Sequence, residues 1–327
     1  MNVLILGKGR IGKTIFHHLK KQRIRAFFEE KKVKEADLIV NCLPGKVATK
    51  GFKLAFLKNK DLIDISDVDF DFYFKRRKQI EKKKILVIPN CGFCPGLLNF
   101  ILAFELNKKG TEKVEIVAGS FSPKKFFFPF LWCFEDLILE HKIPSFQFLY
   151  KKRKKFPPFS GYRLEKFLKF ETESYFAPSG LEYLPKKLKI KNFTFRVLRP
   201  KGFFHFFKFL ESYGLFDGKE KEILKKFLER KKEDNFTMAK IEIFFQKRKI
   251  SIFLKSFSRK NEKFNSMQKI TSILPLAIIK EISSGEFKEK GLIFPEDLAK
   301  KEKISKKIMN FIKNQNFLSF AKKVEIF

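Results

Sequence analysis

The sequence opens MNVLILGKGRIGK, and no other stretch constrains the fold as strongly. An apolar run, Val3 to Leu6, enters Gly7-x-Gly9-x-x-Gly12, after which Ile11, Ile15, Phe16 and Leu19 recur at helical spacing. Strand, glycines and helix in that order form a dinucleotide-binding fingerprint. Gly7 allows the sharp turn off the strand, Gly9 lets a pyrophosphate approach the backbone, and Gly12 lets helix and strand pack closely. Arg10, Ile11 and Gly12 open the helix, whose N-terminus then faces the phosphates. A second apolar run, Ile24 to Phe28, ends at Glu29, about twenty residues past the glycines, where such a fingerprint expects an acid for the ribose.

Beyond Glu29 the connection is short. An apolar run at Asp37 to Leu43 leads to a Pro44-Gly45 turn, a helical segment at Val47 to Leu57, a strand at Leu62 to Ile65, a basic helix near Phe72 to Lys83 and a strand at Ile85 to Ile88. Strands alternating with helices predict a doubly wound, Rossmann-type parallel sheet. Ligands of such sheets sit beyond the carboxyl ends of the strands. That rule nominates Gly7 to Gly12, Glu29, Cys42, Leu43, Pro44, Ser66 (in the segment Ser66 to Val68), and Gly92 and Pro95 (in Asn90 to Asn99) as cofactor contacts.

From about Lys113 the period shortens to two. Val114, Ile116 and Ala118 alternate, as do Thr194 to Leu198, Ala239 to Phe245 and Ile250 to Leu254, the last two predicting a hairpin with its turn at Gln246 to Lys249. The expected architecture is α/β: a Rossmann domain over 1–113, a substrate-binding and dimerisation α+β domain with a mixed, largely antiparallel sheet over 114–265, and mainly helical C-terminal segments over 266–327 that pack back on the first domain.

Charge is the other outlying property, with 71 Lys and Arg against 36 Asp and Glu, a formal +35. The excess is mostly Lys, is spread along the chain and accompanies 45 Phe, as an AT-rich genome would produce. No nucleic-acid-binding module is visible, so no specific nucleic-acid partner is expected, only salt-sensitive, non-specific polyanion binding. The apolar stretches, including Phe126 to Phe134, fall short of the roughly twenty residues that span a bilayer, and no signal-like segment precedes the first strand. A cytoplasmic protein without a membrane partner is the expectation. Cys91-x-x-Cys94 has no second metal-ligating pair, so ordinary packing is expected and no metal.

The segments Asn41 to Pro44, DLIDIS and ILVIPNCGFCPGLLN resemble the saccharopine dehydrogenase-like family, whose strands carry a Leu-Pro loop, a strand end of the form VD(V/L/T)S and a P-x-x-G-x-x-P-G turn into a helix. Pro89, Gly92, Pro95, Gly96 and Asn99 match the last motif. LWCFEDLILEH, with Trp132, Leu137 and Glu140, resembles the family's T-W-S-x-x-G-L-x-E-E-Y segment. FTFRVLRPKGFFHFFKFLESYGLFD and NSMQKITSILPLAIIKEISSGEFKEKGLIFPEDL extend the likeness along nearly the whole chain. There are departures: Gly119-Ser120-Phe121-Ser122 stands where the family has G-G-L-P, His141 replaces a Tyr, and the His of R-Y-P-G-H is displaced to His205.

The resemblance implies an NAD(P)-dependent amino-acid dehydrogenase, nearest to lysine 6-dehydrogenases in length and segment order, that moves hydride from an amine-bearing carbon of a small-molecule substrate. It also implies a homodimer. Glu140 is the carboxylate matched to the substrate amine, Arg199 the planar fork for a substrate carboxylate, and His141 or His205 the proton carrier. Glu29 favours NAD, while Arg25, Lys31 and Lys32 keep NADP open. A carboxynorspermidine- or saccharopine-type reductase, and a nucleotide-binding homologue without catalysis, are the alternatives.

Overall fold

The computed structural model describes residues 1–66, 68–106, 111–123, 128, 132–167, 170–230 and 232–327. Asp67, and Phe126, Phe127, Pro129, Phe130 and Leu131 of the Phe-rich run, lie outside them. The chain divides into two compact units, Met1–Lys109 with Gln268–Gln315, and Gly110–Met267 with Asn316–Phe327.

In chain order the elements are β1 (Asn2–Leu6), α1 (Arg10–Lys21), β2 (Arg25–Phe27), β3 (Leu38–Asn41), α2 (Thr49–Leu57), β4 (Asp61–Asp64), α3 (Phe70–Phe74), α4 (Arg77–Lys83), β5 (Leu86–Ile88) and α5 (Leu97–Glu105). There follow β6 (Thr111–Phe121), α6 (Phe134–Glu140), β7 (Ser145–Leu149), β8 (Lys152–Phe156), β9 (Arg163–Phe167), β10 (Phe170–Phe176), α7 (Leu184–Lys187), β11 (Asn192–Pro200), α8 (Phe203–Ser212) and α9 (Gly218–Arg230). The chain ends with β12 (Asn235–Phe245), β13 (Arg248–Ser258), α10 (Ser266–Ser283), β14 (Gly291–Leu292), α11 (Pro295–Leu298), α12 (Glu302–Lys313) and β15 (Leu318–Ile326).

The first unit is the expected parallel sheet, in the order β14-β5-β4-β3-β1-β2. Val3 to Leu6 are all buried, as a central strand covered on both faces requires. Sequence order reverses at β1, which pairs in parallel with both β2 and β3, so the crevice between the carboxyl ends of β1 and β3 is the topological switch point. Leu4, Leu6, Ile39, Leu62 and Val87 form one side of the core with Phe52, Tyr73 and Phe294.

The second unit carries a mixed sheet of nine strands. Its main path runs β15-β13-β12-β6-β11-β10-β9, and β7 pairs with β11 and β8. The β6–β11 pair is parallel and the others are antiparallel. Period-two alternation sends Val117, Phe121, Leu198, Phe236 and Met238 into one apolar cluster.

Three sequence expectations change. The basic helix near Phe72 to Lys83 is two helices, α3 and α4, separated at Lys75 and Arg76. The hairpin strands run longer than their apolar cores, so the turn is the two residues Gln246 and Lys247. The C-terminal segment is not helical to its end: Leu318–Ile326 is a strand antiparallel to β13, and Asn316–Phe327 belongs to the second unit. Lys322 and Lys323 interrupt its alternation, so only long-range pairing specifies the strand.

Truncation after Gln315 should uncover the β13 edge, where Ile250, Ile252 and Leu254 are buried, and remove Leu318, which is also buried. Leu318 alone accounts for about 2 kcal/mol. The expected result is a lower melting temperature and concentration-dependent aggregation in light scattering. A truncated chain as stable and monodisperse as the full one would show that β15 is dispensable.

Candidate functional site

In the first unit the glycine loop is built by close backbone approach. Gly7 lies at φ +100°, and a Cβ there would stand 2.6 Å from the Cys42 carbonyl oxygen; a Cβ on Gly12 would strike the Gly7 carbonyl. Gly9 is different. It has an ordinary φ of −72° and nothing within 4 Å of a Cβ position, so the space above it is open. No side chain caps α1 and no acid occupies its first turn, so the amides at Arg10, Ile11 and Gly12 present a positive helix end beside that space. These features fit a pyrophosphate. The Gln268 amide, from α10, donates to the Arg10 carbonyl at 3.1 Å and the Thr14 hydroxyl at 3.1 Å, which fixes the first turn from outside.

Glu29 follows β2 and is exposed. Its own amide and that of Phe28, at 3.0 Å, hold its carboxyl below the usual range, so it is ionised at neutral pH. Lys32 lies 3.8 Å away, and Arg25 pairs instead with Glu35.

The other nominated contacts sit on loops held by a buried polar network that sequence reasoning passed over. The Asn41 amide donates to the Ala48 carbonyl at 2.9 Å and the Ser66 hydroxyl at 3.3 Å, and its oxygen accepts from the Leu43 amide, which fixes Cys42, Leu43 and Pro44. Ser66 donates its amide (2.8 Å) and its hydroxyl (2.5 Å) to Asp64, and the Tyr73 hydroxyl donates to the other Asp64 oxygen. Burial raises the Asp64 pKa, and these donors oppose the rise. Cys42 is pushed up by burial and by Asp64, so its thiol stays protonated. After the Gly92 to Pro95 turn, Gly96 has φ +135°, and the Asn99 side-chain oxygen accepts from its amide at 3.0 Å. Asp64 and Asn41 both lie in the strand-end motifs, and a buried acid beside a Ser two residues on was the signal available for them.

In the second unit Arg199, Glu140 and His141 form one cluster. Arg199, on β11, is 1% exposed. Its Nη2 donates to Glu140 Oε2 at 2.7 Å, its Nε to His141 Nε2 at 3.4 Å and its Nη1 to the Leu198 carbonyl at 3.2 Å, so all three guanidinium nitrogens have partners within the chain. Trp132 and Phe203 flank the guanidinium at 5.7 and 5.6 Å. His141 Nδ1 lies 2.7 Å from the Leu137 carbonyl, and Phe159, Tyr175, Phe203 and Phe207 surround the ring. The bonds define a neutral imidazole that donates from Nδ1 and accepts at Nε2. Burial and then Arg199 drive its pKa well below 6.5.

Glu140 ends α6, and its side chain is 20% exposed. Burial raises its pKa and the Arg199 ion pair opposes that rise; the net shift is upward. Glu173 on β10, opposite Arg199, is fully buried and accepts from the Gly202 amide at 2.8 Å and the Phe204 amide, capping α8. His205 stands apart from the cluster. It is exposed on the next turn of chain and lines a cavity of about 480 Å³ with Phe159, Ser160, Tyr162, Phe204 and Lys208.

No family model matches the sequence, and no curated protein does. Among solved structures, apo saccharopine dehydrogenase (L-Glu forming) from Saccharomyces cerevisiae superposes with a TM-score of 0.77 at 14% identity, covering 99% of each chain. Amine dehydrogenase from Mycobacterium smegmatis gives a TM-score of 0.45 at 8% identity, over 91% of this chain and 95% of that one. The fold is therefore that of an α/β protein with a parallel glycine-loop sheet and a second mixed sheet. It matches the yeast saccharopine dehydrogenase over almost the full length.

His141 gives a pH signature. An unfolded histidine takes up a proton below about pH 6.5 and the buried one does not, so this residue's contribution to stability falls as pH drops below that value. The difference in unfolding free energy between the wild type and His141→Gln should change by at most about 1.4 kcal/mol per pH unit over pH 6.5 to 5. Urea titrations across that range measure it, and a pH-independent difference would mean that His141 takes up its proton alike in the folded and unfolded chain and is not held neutral by its burial.

Proposed function

We propose that this protein is a nicotinamide-dependent oxidoreductase acting on the CH–NH2 or CH–NH group of an amino acid, saccharopine dehydrogenase-like and nearest in type to lysine 6-dehydrogenase. The glycine loop carries the reading: open space above Gly9, an uncapped α1 and the crevice between β1 and β3 meet at one point. The nicotinamide, when bound, supplies the hydride acceptor. NAD is favoured over NADP, because an ionised Glu29 accepts from a ribose 2′-hydroxyl and repels a 2′-phosphate.

The chain's own task is to handle the substrate's proton. An ammonium must lose a proton before its carbon can give up hydride, and Glu140 is assigned that proton. Its Oε2 is held by Arg199, its side chain retains some exposure, and its raised pKa brings it nearer the working pH. Arg199 orients Glu140 in this reading, since its nitrogens are already engaged. His141, neutral and with both ring nitrogens bonded, supports Arg199.

Two outcomes test the proposal. Gly9→Ala adds a methyl group to open space without backbone strain, so it should melt with the wild type yet lose about tenfold or more in NAD affinity, read as a smaller NAD-induced thermal shift. An unchanged shift would remove the loop from the cofactor site. Glu140→Gln should keep the wild-type thermal shift with NAD and lower kcat by about 10²-fold or more. In the wild type, the acid limb of the kcat/KM profile should lie above 4.5, the ordinary value for Glu. The assay follows nicotinamide absorbance with lysine and related diamino acids, and with oxo acids and amines in the reductive direction. Cofactor binding without turnover in either direction would leave a nucleotide-binding homologue in place of an enzyme.

A further inference from the structure

The composition spreads positive charge along the whole chain, but one element concentrates it. Lys151, Lys152, Arg153, Lys154 and Lys155 are consecutive and exposed, and no acidic residue occurs between His141 and Leu164. All but the first lie on β8, which pairs only with β7, so its outer edge is open among the described residues. Among the described residues none of the five forms an ion pair, whereas Lys191, Lys225 and Lys249 of the same unit each meet a carboxylate within 3 Å.

The turn of this hairpin is a second, independent observation. Tyr150 and Lys151 lie at φ +53° and +62°, the left-handed geometry of a tight two-residue hairpin turn that Asn-Gly satisfies without strain. A tyrosine there is an outlier. The strained tip is held in place: the Tyr150 amide donates to Asn192 at 2.8 Å and the Lys151 amide to the Lys191 carbonyl at 2.9 Å. Tyr150 is 77% exposed with Lys154 over its ring, and the Arg153 guanidinium lies 3.7 Å from the Phe146 ring centroid.

We infer that the β7–β8 hairpin is a binding edge for single-stranded nucleic acid, separate from the proposed oxidoreductase site. Alternate residues along a strand are about 6.8 Å apart, two steps of a nucleotide rise of about 3.4 Å, so Lys152 and Lys154 can follow a phosphate backbone on one face while Arg153 and Lys155 do so on the other. The exposed Tyr150 ring and the Arg153 plane offer flat surfaces for bases. A membrane surface would take the charge equally well but would also require an apolar group to insert. The tip offers only the amphipathic Tyr150, and Phe146 lies beneath Arg153.

The test uses the full chain, a labelled oligo(dT) of about 12 nucleotides read by fluorescence anisotropy over a range of salt, and vesicles of phosphatidylserine and phosphatidylcholine. The quadruple variant Lys152→Gln, Arg153→Gln, Lys154→Gln, Lys155→Gln should lose about tenfold or more in affinity and reduce the salt slope by about 3. A charge-matched control, Lys53→Gln, Lys58→Gln, Lys78→Gln, Lys82→Gln, should lose less than about threefold. Tyr150→Asn, which relieves the turn and keeps the charge, should melt no lower than the wild type and still bind about fivefold or more weakly. Equal losses in the two quadruple variants would overturn the inference, since binding would then follow net charge alone. Hairpin-dependent binding to vesicles with no hairpin dependence for the oligonucleotide would overturn it in favour of a lipid surface.

Discussion

The first unit depends on a backbone contact: Gly7 against the Cys42 carbonyl, with Gly12 against Gly7 in turn. The ends of β1 and β3 can lie side by side only if neither glycine carries a side chain. What β3 delivers at that point is Asn41, which ties the following loop to Ala48 and to Ser66, and Ser66 leads to Asp64 at the end of β4 and on to Tyr73. Parallel strands share no tight turns that could fix their ends relative to one another. A buried polar chain does that here, and because its members are bonded to one another, its burial does not leave orphaned groups.

The second unit meets the problem of buried charge in two ways. Glu173 is offset by the Gly202 and Phe204 amides, so its charge is matched by a helix end. Glu140 is offset by Arg199, a full opposite charge, and Arg199 rests on a histidine that burial and then Arg199's own field keep neutral. The arrangement is asymmetric. Glu173 is fully enclosed, whereas Glu140 keeps part of its side chain at the surface. Removing Arg199 would leave Glu140 without a counter-charge, a loss on the order of 3–5 kcal/mol for buried pairs and less for one partly open to water.

How legible the chain is depends on the range of the cause. The parallel sheet and its glycine loop could be read because strand, turn and helix are specified within a few residues, and the mixed sheet because alternation survives in β6, β11, β12 and β13. β15 could not be read: its lysines face solvent, and its partner lies some seventy residues earlier, from Arg248 to Ser256. Arg199, Glu140 and His141 were nominated from motif positions, and the sequence held no sign that the three would bond to each other. Asp64 and Asn41, at the ends of β4 and β3, were passed over although their strand-end motifs were visible, and Glu173, in the middle of β10, was missed because a buried acid looks in sequence like an exposed one.

The charge and the aromatic content are physically connected. Forty-five phenylalanines are more than two cores enclose, and some rings are left half-covered beneath cations: Lys8 over Phe28, Lys83 over Phe56, Lys113 and Lys249 over Phe244. Long lysine stems shield ring surface while the ammonium stays in water, and the ring face attracts the cation. An excess of lysine thereby offsets an excess of phenylalanine, at the cost of self-repulsion that salt relieves. The β7–β8 hairpin follows this rule only in part. Arg153 and Lys154 cover rings there, but Tyr150 remains mostly exposed and, among the described residues, the adjoining cations form no ion pair with a carboxylate. Shielding of aromatic surface takes up part of the lysine excess elsewhere and leaves this cluster with charge to spare.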